Sequence, residues 1–237
     1  MPSSYFDYAD GNAICEAYVA HADASGRRPA VLIAHQWAGQ SDAERGAAER
    51  LAELGYVGMA IDVYGKGNRG SPGADNSALM NPFMADRARL RTRLLAAVEA
   101  ARAHAAVDPE RIAVIGYCFG GLCALDLARA NAPGLRGAVS LHGMFSAPNL
   151  GDQPAIKASV LVLHGWDDPM APPADVLALA QELTAAKADW QIHAYGHAMH
   201  AFTNPAAAAP ERGLAYNEKA AHRSWAAVQA FLAEVLA

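Results

Sequence analysis

What the sequence lacks narrows its class first. No apolar run among its 237 residues approaches the roughly 20 needed to cross a bilayer. The opening stretch MPSSYFDYADG carries neither the basic segment nor the apolar stretch of about 7–15 residues that a secretory leader requires. A cytoplasmic protein without a membrane partner is the expectation. Lys and Arg form no run and the formal net charge is −5, so attraction to phosphate backbones or acidic lipid is weak and no nucleic-acid partner is expected. The three cysteines, Cys15, Cys118 and Cys123, are an odd set without CxxC spacing, which argues against a disulfide framework and against a zinc knuckle. No internal repeat is present, and the alanine-rich patch NPAAAAPERG, from Asn204 to Gly213, reads as a surface loop.

What is there is a series of short apolar runs rich in Val, Ile and Leu: Ala30–His35, Val57–Asp62, Ile112–Gly116, Ala138–His142 and Val160–His164, with a last strand at Trp190–Tyr195. Their length and lack of alternation suit strands buried on both faces of a parallel sheet. Between them, helical periodicity covers about Asp42–Leu54, Ala85–His104, Gly120–Asn131, Ala174–Ala186 and Tyr216–Leu236. The alternation predicts one α/β domain over residues 1–237, a doubly wound, mostly parallel sheet flanked by helices. Such sheets place ligands beyond the carboxyl ends of their strands. The tips there read HQWAG, DVYGKG, GYCFGG, HGMF and HGWDDP, with GHAMHAF after the last strand.

GYCFGG follows a strand and precedes a helix, which is the setting of a nucleophile elbow, G-x-S-x-G with cysteine for serine. Gly116 and Gly120 let strand and helix approach closely, pushing Cys118 into an exposed, strained turn. Free cysteines usually fill cores. The glycine frame argues otherwise for Cys118, whereas Cys123 and Cys15 lack such a frame. A thiol with a reference pKa of about 8.5 needs a base or a field to be nucleophilic at neutral pH. The helix amino end supplies the field and a histidine should supply the base.

Nucleophile, acid and histidine follow in that chain order in this fold, which leaves Asp167 or Asp168 as the acid and His193, His197 or His200 as the base. Asp168 precedes PMAP, a turn that would present it to the cleft, while Asp167 is better placed to bond local backbone; Asp168 is favoured, with Asp167 the alternative. His193 lies inside a strand. Of the two loop histidines, His200 is followed by an apolar Ala-Phe anchor, which selects it as base.

GYCFGG, GWDDPMAP and HAF, in this order over nearly the whole chain, resemble the dienelactone hydrolase family of the α/β-hydrolase fold. The resemblance implies Cys118 as nucleophile, Asp168 as orienting acid and His200 as base. It further implies an oxyanion hole from the backbone N–H groups of Trp37 and Phe119, donors worth about 3 kcal/mol each in the transition state. No cofactor or metal is implied, and the partner is a small-molecule substrate.

Two positions depart from the family. Gln36 stands where a glutamate is common, and Asn204 stands where an arginine helps hold the substrate carboxylate. Without that arginine a buried carboxylate lacks a charge-assisted partner. Arg87 and Arg89 lie on a helix and are expected to be solvated. Neutral substrates are therefore expected: aryl esters, lactones and, because a thiolate beside backbone donors can attack phosphorus as well as carbon, phosphotriesters. Gln36, Trp37, Tyr64, Phe83, Phe145, Trp166, Met199 and Asn204 are the candidate pocket residues, each of them equally able to pack as core.

Three rivals deserve statement. The strand-end histidines His35, His142 and His164, with His193, His197 and His200, suggest a metal-dependent hydrolase, although the glycine in HAYGHAMH weakens the ligand spacing. A binding protein that uses the cleft without turnover is the second. The third, phosphate binding by GKGNRG at Gly65–Gly70, lacks the Lys-Ser/Thr of a P-loop, and the segment reads as a flexible loop. A homodimer is a common assembly for an enzyme of this size.

Overall fold

The computed structural model describes residues 2–22, 26–71 and 73–237. Eight strands form one sheet in the order β1-β2-β4-β3-β5-β6-β7-β8. Six of them run parallel: β4 (Val57–Ala60), β3 (Arg28–Ala34), β5 (Val107–Tyr117), β6 (Leu135–Leu141), β7 (Ser159–Gly165) and β8 (Trp190–Tyr195). The antiparallel edge is a hairpin, β1 (Ser3–Asp10) and β2 (Ala13–Ala20), in which β2 also pairs antiparallel with β4.

The sheet is apolar on both faces, as its central strands require. Along β3, Ala30 and Leu32 belong to one core cluster, which also holds Leu90 and Leu94 of α3 (Arg87–Ala103), Leu122 and Leu125 of α4 (Phe119–Arg129) and Leu179 of α5 (Pro173–Ala185). Val31 and Ile33 belong to the cluster on the other face, with Leu51 of α1 (Asp42–Glu53) and Phe231 and Leu232 of α6 (Glu218–Val235). The period-2 alternation of a strand thus fills two cores from one run. β3 lies between β4 and β5, so the chain leaves it in one direction and returns on the other side. That reversal opens a crevice at the carboxyl ends of β3 and β5.

Two elements go beyond the sequence reading and two expectations are corrected. The hairpin β1–β2 and a short helix, α2 (Ser77–Ala85), were not anticipated. α2 contains Pro82 and has no side-chain cap, so the usual signals of a helix are missing from it. GKGNRG is a held turn rather than a flexible loop: buried Asp62 accepts the N–H groups of Tyr64 and Gly65 at 3.0 Å each, and Asn68 donates to the Tyr64 carbonyl. The alanine-rich patch contains ordered structure, β9 (Ala208–Ala209) paired with β10 (Leu214–Ala215) around a 3-10 turn at Pro210–Arg212. Among the described residues no helix is long and apolar enough to cross a membrane.

Candidate active site

β5 ends at Tyr117 and α4 begins at Phe119, leaving Cys118 alone between them with φ 56° and ψ −116°. That left-handed backbone costs a non-glycine residue roughly 1–3 kcal/mol and is found at functional sites. The glycines make it reachable. A Cβ at Gly116 would overlap the carbonyl oxygen of Gly120, and a Cβ at Gly120 would overlap that of Ala34. The Cys118 N–H donates to Leu141 O on β6 at 3.1 Å, its carbonyl accepts from Gly121 N at 2.9 Å, and its side chain is half-buried.

His200 lies in the loop after β8. Its N–H donates to Gly213 O at 2.9 Å and its carbonyl accepts from Ala215 N at 3.2 Å, so the alanine-rich hairpin grips its backbone from both sides. The His200 Nδ1–H donates to Asp168 Oδ2 at 2.8 Å, while Asp168 Oδ1 accepts from the Met170 N–H, also at 2.8 Å. Both side chains are buried. Nδ1 being committed to Asp168, Nε2 is the nitrogen open to Cys118. Burial opposes a charge on this ring, but the bond to Asp168 and the adjacent Cys118 thiol outweigh it and raise the His200 pKa to about 10.

The alternative pair sits elsewhere. Asp167 is exposed, 3.8 Å from the Nδ1 of His197, whose side chain is fully in solvent. His193 is in β8, as expected of a sheet residue. Among the described residues no group of three or more His, Cys, Asp or Glu is placed to hold a metal ion.

The loop from β3 to α1 carries Gln36 and Trp37. The Val63 N–H donates to His35 Nε2 at 3.1 Å, so His35 carries its proton on Nδ1 and donates it to Gln36 O at 2.7 Å. Burial lowers the pKa of this ring, in keeping with a neutral imidazole. Tyr64 Oη–H donates to Trp37 O at 3.0 Å and the Gly70 N–H to Ala38 O at 2.7 Å. Buried Glu44 accepts from the Ser41 N–H in a capping box and from the Gln36 N–H at 3.4 Å. Three successive carbonyls are therefore held, and the Trp37 N–H is given to no acceptor among the described residues. Phe119 opens α4, where a first-turn N–H has no partner within the helix.

The candidate pocket residues divide. Tyr64 and Phe83 are buried and packed together, with Tyr64 4.6 Å from the His35 ring and 5.8 Å from that of Phe119. Their faces are occupied by packing against one another and against His35 and Phe119. Phe145 is buried against His164 at 5.4 Å. Gln36, Trp37, Met199 and Asn204 are half-buried and Trp166 is 44% exposed. The Asn204 Oδ1 accepts from Ala206 N in its own turn.

Arg87 is not solvated, contrary to expectation. It is buried and bidentate to Asp126 at 2.7–2.9 Å, with Nη2 also donating to Ser146 O. Arg129 joins the network through Asp126, Glu182 and the Phe145 carbonyl. Arg89 lies 4.6 Å over the Phe83 ring. The cavity of about 190 Å³ beside Arg91, Arg129 and Glu182 includes none of Cys118, Asp168 or His200. Tyr64, His35 and Glu44 are the supporting residues that sequence reasoning assigned no such role. Only the capping box, Ser41-x-x-Glu44, announced itself in the sequence.

A mostly parallel sheet, a left-handed residue between strand and helix, and a buried Asp–His pair at the neighbouring strand ends define an α/β hydrolase. Residues 15–236 match the dienelactone hydrolase family, and the chain belongs to that family. It is 28% identical over 228 residues to a putative carboxymethylenebutenolidase of Synechocystis sp., covering 90% of this chain and 88% of that protein. An uncharacterized protein of Caenorhabditis elegans is 36% identical over 152 residues, 63% of this chain and 96% of that one. Among solved structures, the dienelactone hydrolase-like promiscuous phosphotriesterase P91 from metagenomic libraries superposes with a TM-score of 0.93 at 36% identity, covering 100% of this chain and 99% of that chain. The fold is also that of Thermogutta terrifontis esterase 2, TM-score 0.73 at 19% identity, covering 98% of this chain and 94% of that one. The protein is a hydrolase of the dienelactone hydrolase type, acting on esters or lactones.

Proposed function

We propose that this enzyme is a cysteine hydrolase of neutral esters and lactones that also accepts phosphotriesters. The observation that carries the reading is the left-handed Cys118 at the end of β5, with the buried His200–Asp168 pair as its proton partner. The Cys118 thiolate attacks the acyl carbon, and the negative charge that develops on oxygen is met by the N–H groups of Trp37 and Phe119. The C–O bond breaks as His200 gives its proton to the leaving oxygen. Water then adds to the thioester, His200 takes its proton, and expulsion of the thiolate releases the acid. The hydrogen bond from His200 to Asp168 keeps the imidazole in the tautomer and orientation that both transfers need.

Preference for neutral substrates rests on the arginines. Arg87 is committed to Asp126, Arg89 lies over Phe83, and position 204 carries an amide. Acceptance of a phosphotriester is supported by the similarity to P91, by the same thiolate geometry, and by the neutrality of such a substrate. The test is hydrolysis of p-nitrophenyl acetate and of a neutral aryl phosphotriester by the native enzyme and Cys118→Ala, with EDTA throughout. Both activities are expected to vanish with the thiol and to ignore EDTA. Turnover by Cys118→Ala, or its loss in EDTA, would overturn the reading.

A further inference from the structure

Behind the imidazole of His200 stands a second buried histidine for which the proposed chemistry has no use. β6 ends at Leu141, and His142 follows it with a left-handed backbone, φ 37°. Strand alternation would place side chain 142 on the face of Ser140, under α4. The turn carries it instead to the opposite face, where its ring centroid lies 5.2 Å from that of His200 and 5.3 Å from that of Phe202, both edge-on. Its Nε2 is 2.8 Å from Thr203 Oγ1 and its Nδ1 has no partner among the described residues. Burial first, and then the neighbouring His200, push this imidazole well below the usual histidine pKa, so it is neutral.

We propose that His142, oriented by Thr203, is a positioning residue whose neutral ring, packed edge-on against that of His200, fixes the His200 imidazole in place. This inference rests on the assignment of Cys118 and His200 above. A neutral imidazole carries one proton, and an orphaned buried N–H is rarer in proteins than an under-used acceptor. The Nε2–H therefore donates to Thr203 Oγ1 and Nδ1 is left as the lone pair. The titratable groups around His200 are Asp168, Cys118, His142 and His164; Asp168 holds its Nδ1 at 2.8 Å, while its Nε2 has no hydrogen-bond partner among the described residues. A ring with one hydrogen bond needs a second contact to hold its plane, and small misplacement of a catalytic group is costly in rate.

The experiment compares native enzyme, Cys118→Ala, Thr203→Val, Thr203→Ser and His142→Phe. It reads kcat and KM for p-nitrophenyl acetate, and the pH of half-maximal alkylation of Cys118 by iodoacetamide, located by peptide mass. Thr203→Val is expected to lower kcat about tenfold with KM within about twofold, and to move the alkylation midpoint upward by about 0.5 unit or more. His142→Phe should move the midpoint the same way, and Thr203→Ser should restore native behaviour. The proposal is overturned if Thr203→Val and His142→Phe keep the native midpoint, or if serine fails to restore what valine removes. Turnover by Cys118→Ala would instead refute the nucleophile, and the alkylation midpoints judge His142 in either case.

Discussion

Tyr64 donates its hydroxyl proton to the carbonyl of Trp37 at 3.0 Å while its ring stacks on that of Phe119, 5.8 Å between centroids at 23°. One buried side chain therefore touches both residues proposed to supply the oxyanion amides, and it fixes the peptide that follows Trp37.

Tyr64→Phe keeps the stack and frees the Trp37 carbonyl. One hydrogen bond of this kind is worth about 1 kcal/mol, so kcat for p-nitrophenyl acetate should fall about fivefold to tenfold with KM little changed. An unaltered kcat would show that the loop is held without the hydroxyl.

The elbow makes a sharper demand. Gly116→Ala forces a Cβ into the Gly120 carbonyl, so either the protein fails to accumulate or it folds with the elbow displaced and without activity. Gly46, inside α1, has nothing within 4 Å of its missing Cβ. Gly46→Ala should stabilise by about 0.5–1 kcal/mol, seen as a Tm increase of roughly 1–4 °C, with native activity.

The ionisation of His200 sets the alkaline behaviour. With a pKa raised to about 10, from an ordinary value of 6.5, the ring holds its proton through neutral pH and loses it as pH rises through about 10. Proton donation to the leaving oxygen is lost over that range, so acylation by alkyl esters should decline there while aryl esters, whose phenolates leave unaided, are spared. Nitrogen NMR of His200 should give the same midpoint, and Cys118→Ala should lower it because the thiol's contribution is gone.

Gln36→Glu would place a carboxylate in the loop where Glu44 already accepts from the backbone N–H of residue 36. A negative charge beside the thiolate disfavours it, and a carboxylate competes for the proton on His200. Iodoacetamide should alkylate Cys118 more slowly near neutral pH in this variant, and an unchanged rate would remove Gln36 from the account.

The Arg87 network separates stability from specificity. Arg87→Gln leaves Asp126 with one fewer buried partner and should destabilise the fold by about 3 kcal/mol, measured by urea unfolding. The ratio of kcat/KM for neutral and carboxylate-bearing esters should not move. If it does, Arg87 reaches the substrate.

The parallel strands were legible as short unbroken apolar runs, and five of the six described α-helices as longer segments of helical period between them. The β1–β2 hairpin was not. β1 is mostly exposed and offers little hydrophobic signal, although Asp10-Gly11-Asn12 is a strong turn sequence that marks it in hindsight. At the candidate site, the strained turn at Cys118 could be read from its flanking glycines, since close backbone approach has a local signature. The roles of Tyr64, His35 and Thr203 could not, because each acts on a residue 27, 28 or 61 positions distant in the chain. Arg87 misled for the same reason: its partner, Asp126, lies on another helix, and nothing local distinguishes a buried arginine from a solvated one.

The most direct test of the central claim is mass spectrometry of enzyme quenched in acid during turnover of p-nitrophenyl acetate, with peptide mapping of any adduct. The account predicts an acetyl group on Cys118, formed and lost at rates compatible with turnover, and no adduct in an inactive Cys118→Ala. An acetyl group on another residue, or full turnover by Cys118→Ala, would contradict it.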